Sequence, residues 1–349
     1  MTITALHRAL SAFNSSTRRW AHATSLPPRF SLPPESDVGL PKPLSTQRQR
    51  LSLISWNVDA FTSQPAARAS RILNHILLAP PDIVFLQEVT RDTRAALLND
   101  ARVRTTFSVC GADDDADFEG VPFSAMTLLS RARFSLPGAD SEPSSVLKIR
   151  DVTRVVLPSE HGCTAICVDV YRPTPTTLGP VIRLINVHLD SMENSQRLPY
   201  REKQRRILSI AMRQPGLGGG IIAGDYNAMD REDSKMVNRN ALVDAWAMLY
   251  GSAEEVALYG CKEKGGDGSY QAGGGICCVG LGEGGLDDVF MMSVGPRVKS
   301  IFSAEGVDAP LMETMEVLRP GNIEVPRPGE ESLQKPWSDH CGLKCTFVV

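Results

Sequence analysis

The 349-residue sequence has no C-x-x-C pair among its eight cysteines, no H-E-x-x-H and no clustered Cys/His set. With no secretory hydrophobic region either, the cysteines read as buried thiols in a reducing compartment rather than a disulfide framework. A zinc site is disfavoured. No run approaches the ~18–20 consecutive apolar residues of a spanning helix, which excludes a chain built on such helices. A charged fraction of 22% beside 42% hydrophobic residues excludes a wholly disordered, collagen-like or coiled-coil chain. The length fits two average domains or one large layered α/β domain. The expectation is a soluble, intracellular globular protein that engages no membrane.

Positive charge is also in short supply. Lys+Arg number 37 against 40 Asp+Glu, for a formal net charge of −3. Residues 1–50 hold seven basic residues (Arg8, Arg18, Arg19, Arg29, Lys42, Arg48, Arg50) and two acidic ones (Glu35, Asp37), a local +5 that leaves −8 on residues 51–349. An acidic body is a poor general binder of phosphate backbones. A nucleic-acid function would require a local basic strip, or a metal that reverses the local field.

Six prolines between Pro27 and Pro43 forbid a long helix or a central strand there. Residues 4–20 contain Arg and Ser but no acid, which suits an organelle presequence. The alternative is an extended arm docking Phe13 and Trp20 on the body. The expected division is a Pro-rich basic arm over 1–50 and a main domain over 51–349. The expected compartment is nucleus or cytoplasm, or the mitochondrion if residues 1–30 act as a presequence.

From residue 51 strands and helices alternate. Leu51–Trp56 alternates apolar and polar residues as a half-buried strand does. Pro65 opens a helix whose Ile72, Leu73, Ile76 and Leu77 form one stripe, stopped by Pro80-Pro81. Further strands are expected at Asp82–Leu86, Ala125–Leu129, Thr164–Val170, Val181–His188, Gly220–Ala223, Asp288–Met292 and Leu343–Val348. Helices are expected at Pro199–Arg213 and Asn240–Tyr250. Many strands with few helices between them suggest two packed sheets flanked by helices. Residues 260–285 hold eleven glycines and read as a surface insertion. Its formal G-x-G-x-x-G at Gly280, Gly282 and Gly285 runs into a strand-like segment instead of opening a helix, so a nucleotide site is rejected.

The informative polar residues sit at strand ends: Asn57, Glu88, His188, Asp225 with Asn227, and Asp339-His340 before the last strand. Singly, each has an ordinary reading as a cap, a loop residue or a structural histidine. Together they supply carboxylates, amides and imidazoles on loops of a rigid scaffold, where active sites collect. Oxygen ligands such as Glu88 and Asp225 suit Mg²⁺ or Mn²⁺. Amides and imidazoles beside such a metal can hydrogen-bond phosphate oxygens as charge builds.

Ser55-Trp56-Asn57-Val58-Asp59, Leu86-Gln87-Glu88, Val187-His188-Leu189-Asp190-Ser191, Gly224-Asp225-Tyr226-Asn227 and Ser338-Asp339-His340 occur in the order of the endonuclease/exonuclease/phosphatase superfamily. Over about residues 51–349 the chain resembles that superfamily, most of all its 5′-tyrosyl-DNA phosphodiesterase branch. The resemblance implies a DNase I-like four-layer α/β sandwich of two packed mixed sheets flanked by helices. It implies Glu88 as principal metal ligand, Asn57 orienting metal and phosphate, and Asp225 activating water with Asn227 holding it. It implies His188 and Ser191 on the scissile phosphate, and Asp339 orienting His340 against the pentavalent transition state. Asp287 matches a supporting aspartate.

Three departures bear on substrate contact: Asp288 replaces an arginine, Tyr270 stands for a tryptophan, and Glu193 takes the place of an arginine. Arg197, Arg201, Lys203, Arg205 and Arg206 form a basic strip after His188, of which Arg201 and Arg205 are expected to touch DNA. Phe123 is expected either to stack a base or to sit in the core. The implied activity is hydrolysis of 5′-phosphotyrosyl DNA ends by a monomer. Its rivals are the same chemistry on abasic DNA, poly(A) or inositol and lipid phosphates, and a non-catalytic binder of this fold.

Overall fold

Ile83–Thr90 buries seven successive side chains, and Arg50–Asn57 buries its last five. Strands apolar on both faces must be covered on both sides. The computed structural model describes residues 4–23, 49–61, 63–112, 115–136, 146–159, 162–173, 178–190, 198–227, 239–240, 242–250, 293–294, 310–327 and 330–349. Among these, two eight-stranded sheets pack face to face. The first runs Ala5–His7, Leu147–Val156, Thr164–Pro173, Leu178–His188, Leu217–Asp225, Ser293–Val294, Val243–Asp244, with Phe134–Ser135 beside Leu147–Val156. The second runs Leu311–Leu318, Gly342–Val348, Arg50–Asn57, Ile83–Thr90, Phe123–Ser130, Phe107–Cys110, Leu10–Asn14, Arg19–Ala23.

Three apolar layers hold this together. Leu53, Phe85 and Leu129 of the second sheet meet Val168, Leu184 and Ile221 of the first between the sheets. On the outer face of the second sheet, Trp56, Val84 and Leu86 pack on Ile72, Leu73 and Ile76 of the helix Pro65–Ile76 and on Leu97 of Arg91–Asn99. On the outer face of the first, Ile185, Val187 and Ile222 pack on Ile207, Leu208 and Ala211 of the helix Leu198–Met212. Helix, sheet, sheet, helix is the four-layer sandwich expected.

One parallel pair in each sheet places the site, the short parallel pairing of Phe134–Ser135 with Leu147–Val156 lying apart from it. In the second sheet Arg50–Asn57 runs parallel to Ile83–Thr90, with Asn57 opposite Gln87. In the first, Leu178–His188 runs parallel to Leu217–Asp225, with His188 opposite Asp225. Gly342–Val348 is antiparallel to Arg50–Asn57, so its entry loop returns beside Asn57. Below the strand ends a polar tie fixes the sheets to one another. Gln87 Nε2 donates to Asn186 Oδ1 at 2.8 Å, while Asn186 Nδ2 donates to Met126 O at 3.0 Å.

Two expectations need correction. The division at residue 50 fails at its N-terminal side, because Ala5–His7 pairs with Leu147–Val156 of the first sheet and Leu10–Asn14 pairs with Phe107–Cys110 of the second. These short strands carry weak patterns of their own and are stabilised by the edges they complete. The helix expected over Asn240–Tyr250 is confined to Ala245–Tyr250, since β-branched Val243 pairs with Val294 at a sheet edge. The Asp288–Met292 strand, the Gly-rich 260–285 segment and residues 24–48 lie outside the described residues.

Candidate active site

The strand ends aim their side chains with local devices. Between Leu86 and Val89 the pairing with Phe123–Ser130 shifts register, and Glu88 takes φ +56°. A bulge with a non-glycine residue in the left-handed region re-aims the side chain at a cost of about 1–3 kcal/mol, repaid by its surroundings. Glu88 Oε2 accepts from the Ala60 amide at 2.8 Å, and Oε1 from Asn57 Nδ2 at 2.9 Å. The same Asn57 nitrogen donates to Asp225 Oδ2 at 2.8 Å, so one buried amide joins the carboxylates of the two sheets. At Gly224, φ is +146° and an added Cβ would lie 1.9 Å from Val187 O. Only glycine lets the strands close enough to set Asp225 beside His188.

Asn227, at φ +46°, turns its amide N–H back to Asp225 Oδ1 at 2.9 Å and gives its side-chain nitrogen to Leu189 O at 2.7 Å. His188 Nε2 sits 3.7 Å from Glu88 Oε1 and 3.6 Å from Asp225 Oδ2. His340 Nε2 lies 3.8 Å from Asp225 Oδ2 and 3.5 Å from Asp339 Oδ1. The His340 main chain is gripped at both ends: its carbonyl accepts from the Trp56 indole at 3.0 Å, and its amide donates to Ser338 Oγ at 3.0 Å. Ser338 Oγ in turn donates to Asn57 O at 2.7 Å.

Burial works against the charge on Asp225, but the imidazoles of His340 and His188, with the Asn57 and Asn227 hydrogen bonds, hold its carboxyl below the usual range. Asp225 is therefore the ionised acceptor of the group. Asp339, its side chain 40% exposed, is instead lifted to about 6 by partial desolvation and by the charges of Asp59 and Glu88, against the opposing pull of His340. Ligand atoms of Glu88, His188 and Asp225 all lie within 4.8 Å of one another. Two carboxylates and one imidazole at that spacing fit a hard divalent cation better than zinc, whose structural sites favour sulfur and nitrogen.

Asn57, Glu88, His188, Asp225, Asn227, Asp339 and His340 are thus gathered as expected. Ser191, Tyr270 and Asp287 lie outside the described residues. Arg201 and Arg205 are a correction: both are fully buried and present no basic strip to solvent. On the helix Leu198–Met212 they share the inward stripe with Gln204 and Leu208, while Glu202, Lys203 and Arg206 face out. The i, i+3, i+4, i+7 spacing contained that answer. The Arg205 guanidinium lies 5.8 Å from the Tyr226 ring centroid, under the Asp225 loop.

Sequence reasoning missed three supports. Asp190, buried, accepts from Ser159 Oγ at 2.5 Å and from Gln204 Nε2 at 3.1 Å, tying down the loop after His188. Arg68 and Asp59 form a buried ion pair at 2.9 Å, and the same guanidinium donates to Trp337 O at 3.0 Å. That guanidinium therefore staples the loop after Asn57 to the loop before His340. The nine-residue separation of Asp59 and Arg68, across a loop into a helix, gave no pairing signal.

A family model described as the Endonuclease/Exonuclease/phosphatase family matches residues 54–276. Over 206 residues the chain is 29% identical to tyrosyl-DNA phosphodiesterase 2 of Danio rerio, a match covering 57% of this chain and 47% of that protein. The Homo sapiens protein of that name is 23% identical over 202 residues, covering 57% and 48%. The chain spans about half the length of the curated relatives it matches. Among solved structures, D. rerio TDP2 complexed with a single-strand DNA product superposes with TM-score 0.55 at 20% identity, covering 85% of this chain and 98% of that one. TDP2 from C. elegans gives 0.53 at 18% identity, covering 86% and 75%. At those identities the likeness is one of fold.

Proposed function

The chain belongs to the endonuclease/exonuclease/phosphatase family, and from that premise we propose that it is a Mg²⁺- or Mn²⁺-dependent phosphodiesterase that releases tyrosine from 5′-phosphotyrosyl DNA ends. The observation that carries this reading is the meeting of Glu88 with Asp225 across the two sheets through one Asn57 amide, flanked by His188 and His340. The named similarity to tyrosyl-DNA phosphodiesterase 2 supports the choice of ester.

Glu88 and Asp225, oriented by Asn57, would hold the cation. Once bound, it would supply charge stabilisation to the phosphate oxygens. The chain's own groups divide the rest. Asp225, kept ionised by its imidazole neighbours, accepts the proton of the attacking water. The Asn227 amide fixes the Asp225 carboxylate, and its side chain anchors the His188 loop through Leu189 O. His188 and His340 donate to the non-bridging oxygens as negative charge grows on them. Asp339, with Oδ1 3.5 Å from His340 Nε2, would bias the orientation of that ring by its charge. The products are tyrosine and a DNA 5′-phosphate, with the water proton passing through Asp225.

The test is a panel of 5′-phosphotyrosyl DNA, abasic duplex, poly(A) and inositol phosphates under matched conditions with Mg²⁺. The expected outcome is fastest turnover of the 5′-phosphotyrosyl end. Faster incision of abasic duplex would move the chain to a neighbouring branch, and no turnover of any ester would overturn the enzymatic reading.

A further inference from the structure

Beside the acidic centre stands a short row of rings. The Phe123 ring centroid is 5.6 Å from that of His188 at 37°, and the Phe61 centroid is 5.5 Å from Phe123 at 82°, edge to face. The row leads from a histidine that faces Glu88 and Asp225 to a phenyl group that is 78% exposed. Phe123 is half-buried, so the core reading of that residue gives way to a bridging one.

A single exposed apolar side chain is ordinary on a protein surface. What distinguishes Phe61 is the rigidity of the loop that presents it. Its amide donates to Asp59 Oδ1 at 3.1 Å, and the preceding Ala60 amide donates to Glu88 Oε2 at 2.8 Å. Asp59 sits at φ +55° and donates its own amide to Asn57 Oδ1 at 2.9 Å. Buried Arg68 clamps the Asp59 carboxylate at 2.9 Å and its carbonyl at 2.6 Å, and takes the Ser63 carbonyl at 3.0 Å. An unconstrained loop would fold a phenyl ring onto the nearest apolar surface to remove it from water. Here the backbone is held out by the very residues that set Asn57 and Glu88, which sets the point from which the ring projects, and the edge-to-face contact with Phe123 braces the ring itself.

We propose that Phe61, braced by Phe123, is a stacking platform for a planar ring joined by one ester linkage to the scissile phosphate, and that it selects substrates carrying such a ring. The proposal rests on the phosphodiesterase reading above. A 5′-phosphotyrosyl DNA end offers two candidate rings, the leaving tyrosyl ring directly on its ester oxygen and the remaining first base one deoxyribose beyond its own. Aromatic faces accept any base, so the platform confers a preference for rings without a base sequence.

The test compares the wild type, Phe61→Ala and Phe61→Trp on three single-stranded substrates: a 5′-phosphotyrosyl oligonucleotide, the same with an abasic first nucleotide, and the same oligonucleotide with a 5′ ester to an aliphatic alcohol. Loss of one stacked ring corresponds to a roughly 5- to 100-fold rise in KM. Phe61→Ala is expected to show that rise on the first substrate with kcat little changed, and Phe61→Trp to restore it. The rise disappears on whichever substrate lacks the stacked ring, which tells base from tyrosyl group. An unchanged KM in Phe61→Ala, or an equal loss on all three substrates, would overturn the proposal. Kd values of the same oligonucleotides keep the two readings separable: absent wild-type turnover sinks the enzymatic reading, while ring-dependent affinity lost in Phe61→Ala still supports the platform.

Discussion

Asp339 carries the pH signature of the site. Partial desolvation, with the nearby carboxylates of Asp59 and Glu88, raises the carboxyl pKa of this partly exposed side chain to about 6, so the folded protein binds this proton more tightly than the unfolded chain does. The stability linked to it is complete below the unfolded carboxylate range and is lost as pH rises through about 6. Asp339→Asn removes that loss. In metal-free buffer the variant should match the wild type in melting temperature near pH 4 and exceed it near pH 8. A melting difference independent of pH would contradict the assignment. At this scale the sequence was legible where chemistry forces a residue type, as at Glu88, Asp225 and His340. It was not legible where geometry decides: the φ of Glu88, the Arg68 clamp and the exposure of Phe61 all depend on contacts distant in the chain.

Among the elements, the buried strands were readable because their apolar residues are dense, as in Val181–His188. Leu51–Trp56, expected to be half-buried, is nevertheless covered on both faces because apolar residues stand on each side of the break at Leu53-Ile54. The hairpin of Leu10–Asn14 and Arg19–Ala23 was not readable, because its stability is borrowed. Leu10 is buried in the inter-sheet core, Phe13 packs edge-on against Trp20 at 5.6 Å, and the Arg104 guanidinium lies 4.6 Å from the Phe13 ring. Deleting residues 1–23 would strip two sheet edges and these contacts, a loss on the order of 4–6 kcal/mol at about 2 kcal/mol per buried large apolar side chain. The melting temperature should fall by roughly 10 °C or more, with aggregation from the uncovered strands. Turnover per folded molecule should persist, since no residue of the centre is removed. Differential scanning fluorimetry beside an active-site titration would show this, and an unchanged melting temperature would refute the structural role. Arg201 and Arg205 teach the complementary lesson: basic composition alone suggested a surface, whereas helical phase placed both inside.

For the whole molecule, two sheets each contribute one carboxylate to a centre that neither could form alone. Asn57 and Glu88 come from one parallel pair, His188 and Asp225 from the other, and the Gln87–Asn186 tie holds the pairs in register beneath them. Under the proposed function, an acidic body would leave recognition of a phosphate backbone to local contacts at that edge, not to a broad field. The measurement that bears most directly on this is turnover of a 5′-phosphotyrosyl oligonucleotide by Asp225→Asn at saturating Mg²⁺, beside its melting curve. Asn keeps the shape of the side chain and removes its capacity to take a proton. The expected result is a roughly 10²–10⁴-fold fall in kcat with a cooperative unfolding transition retained. Turnover within a few-fold of the wild type would contradict the centre assigned here.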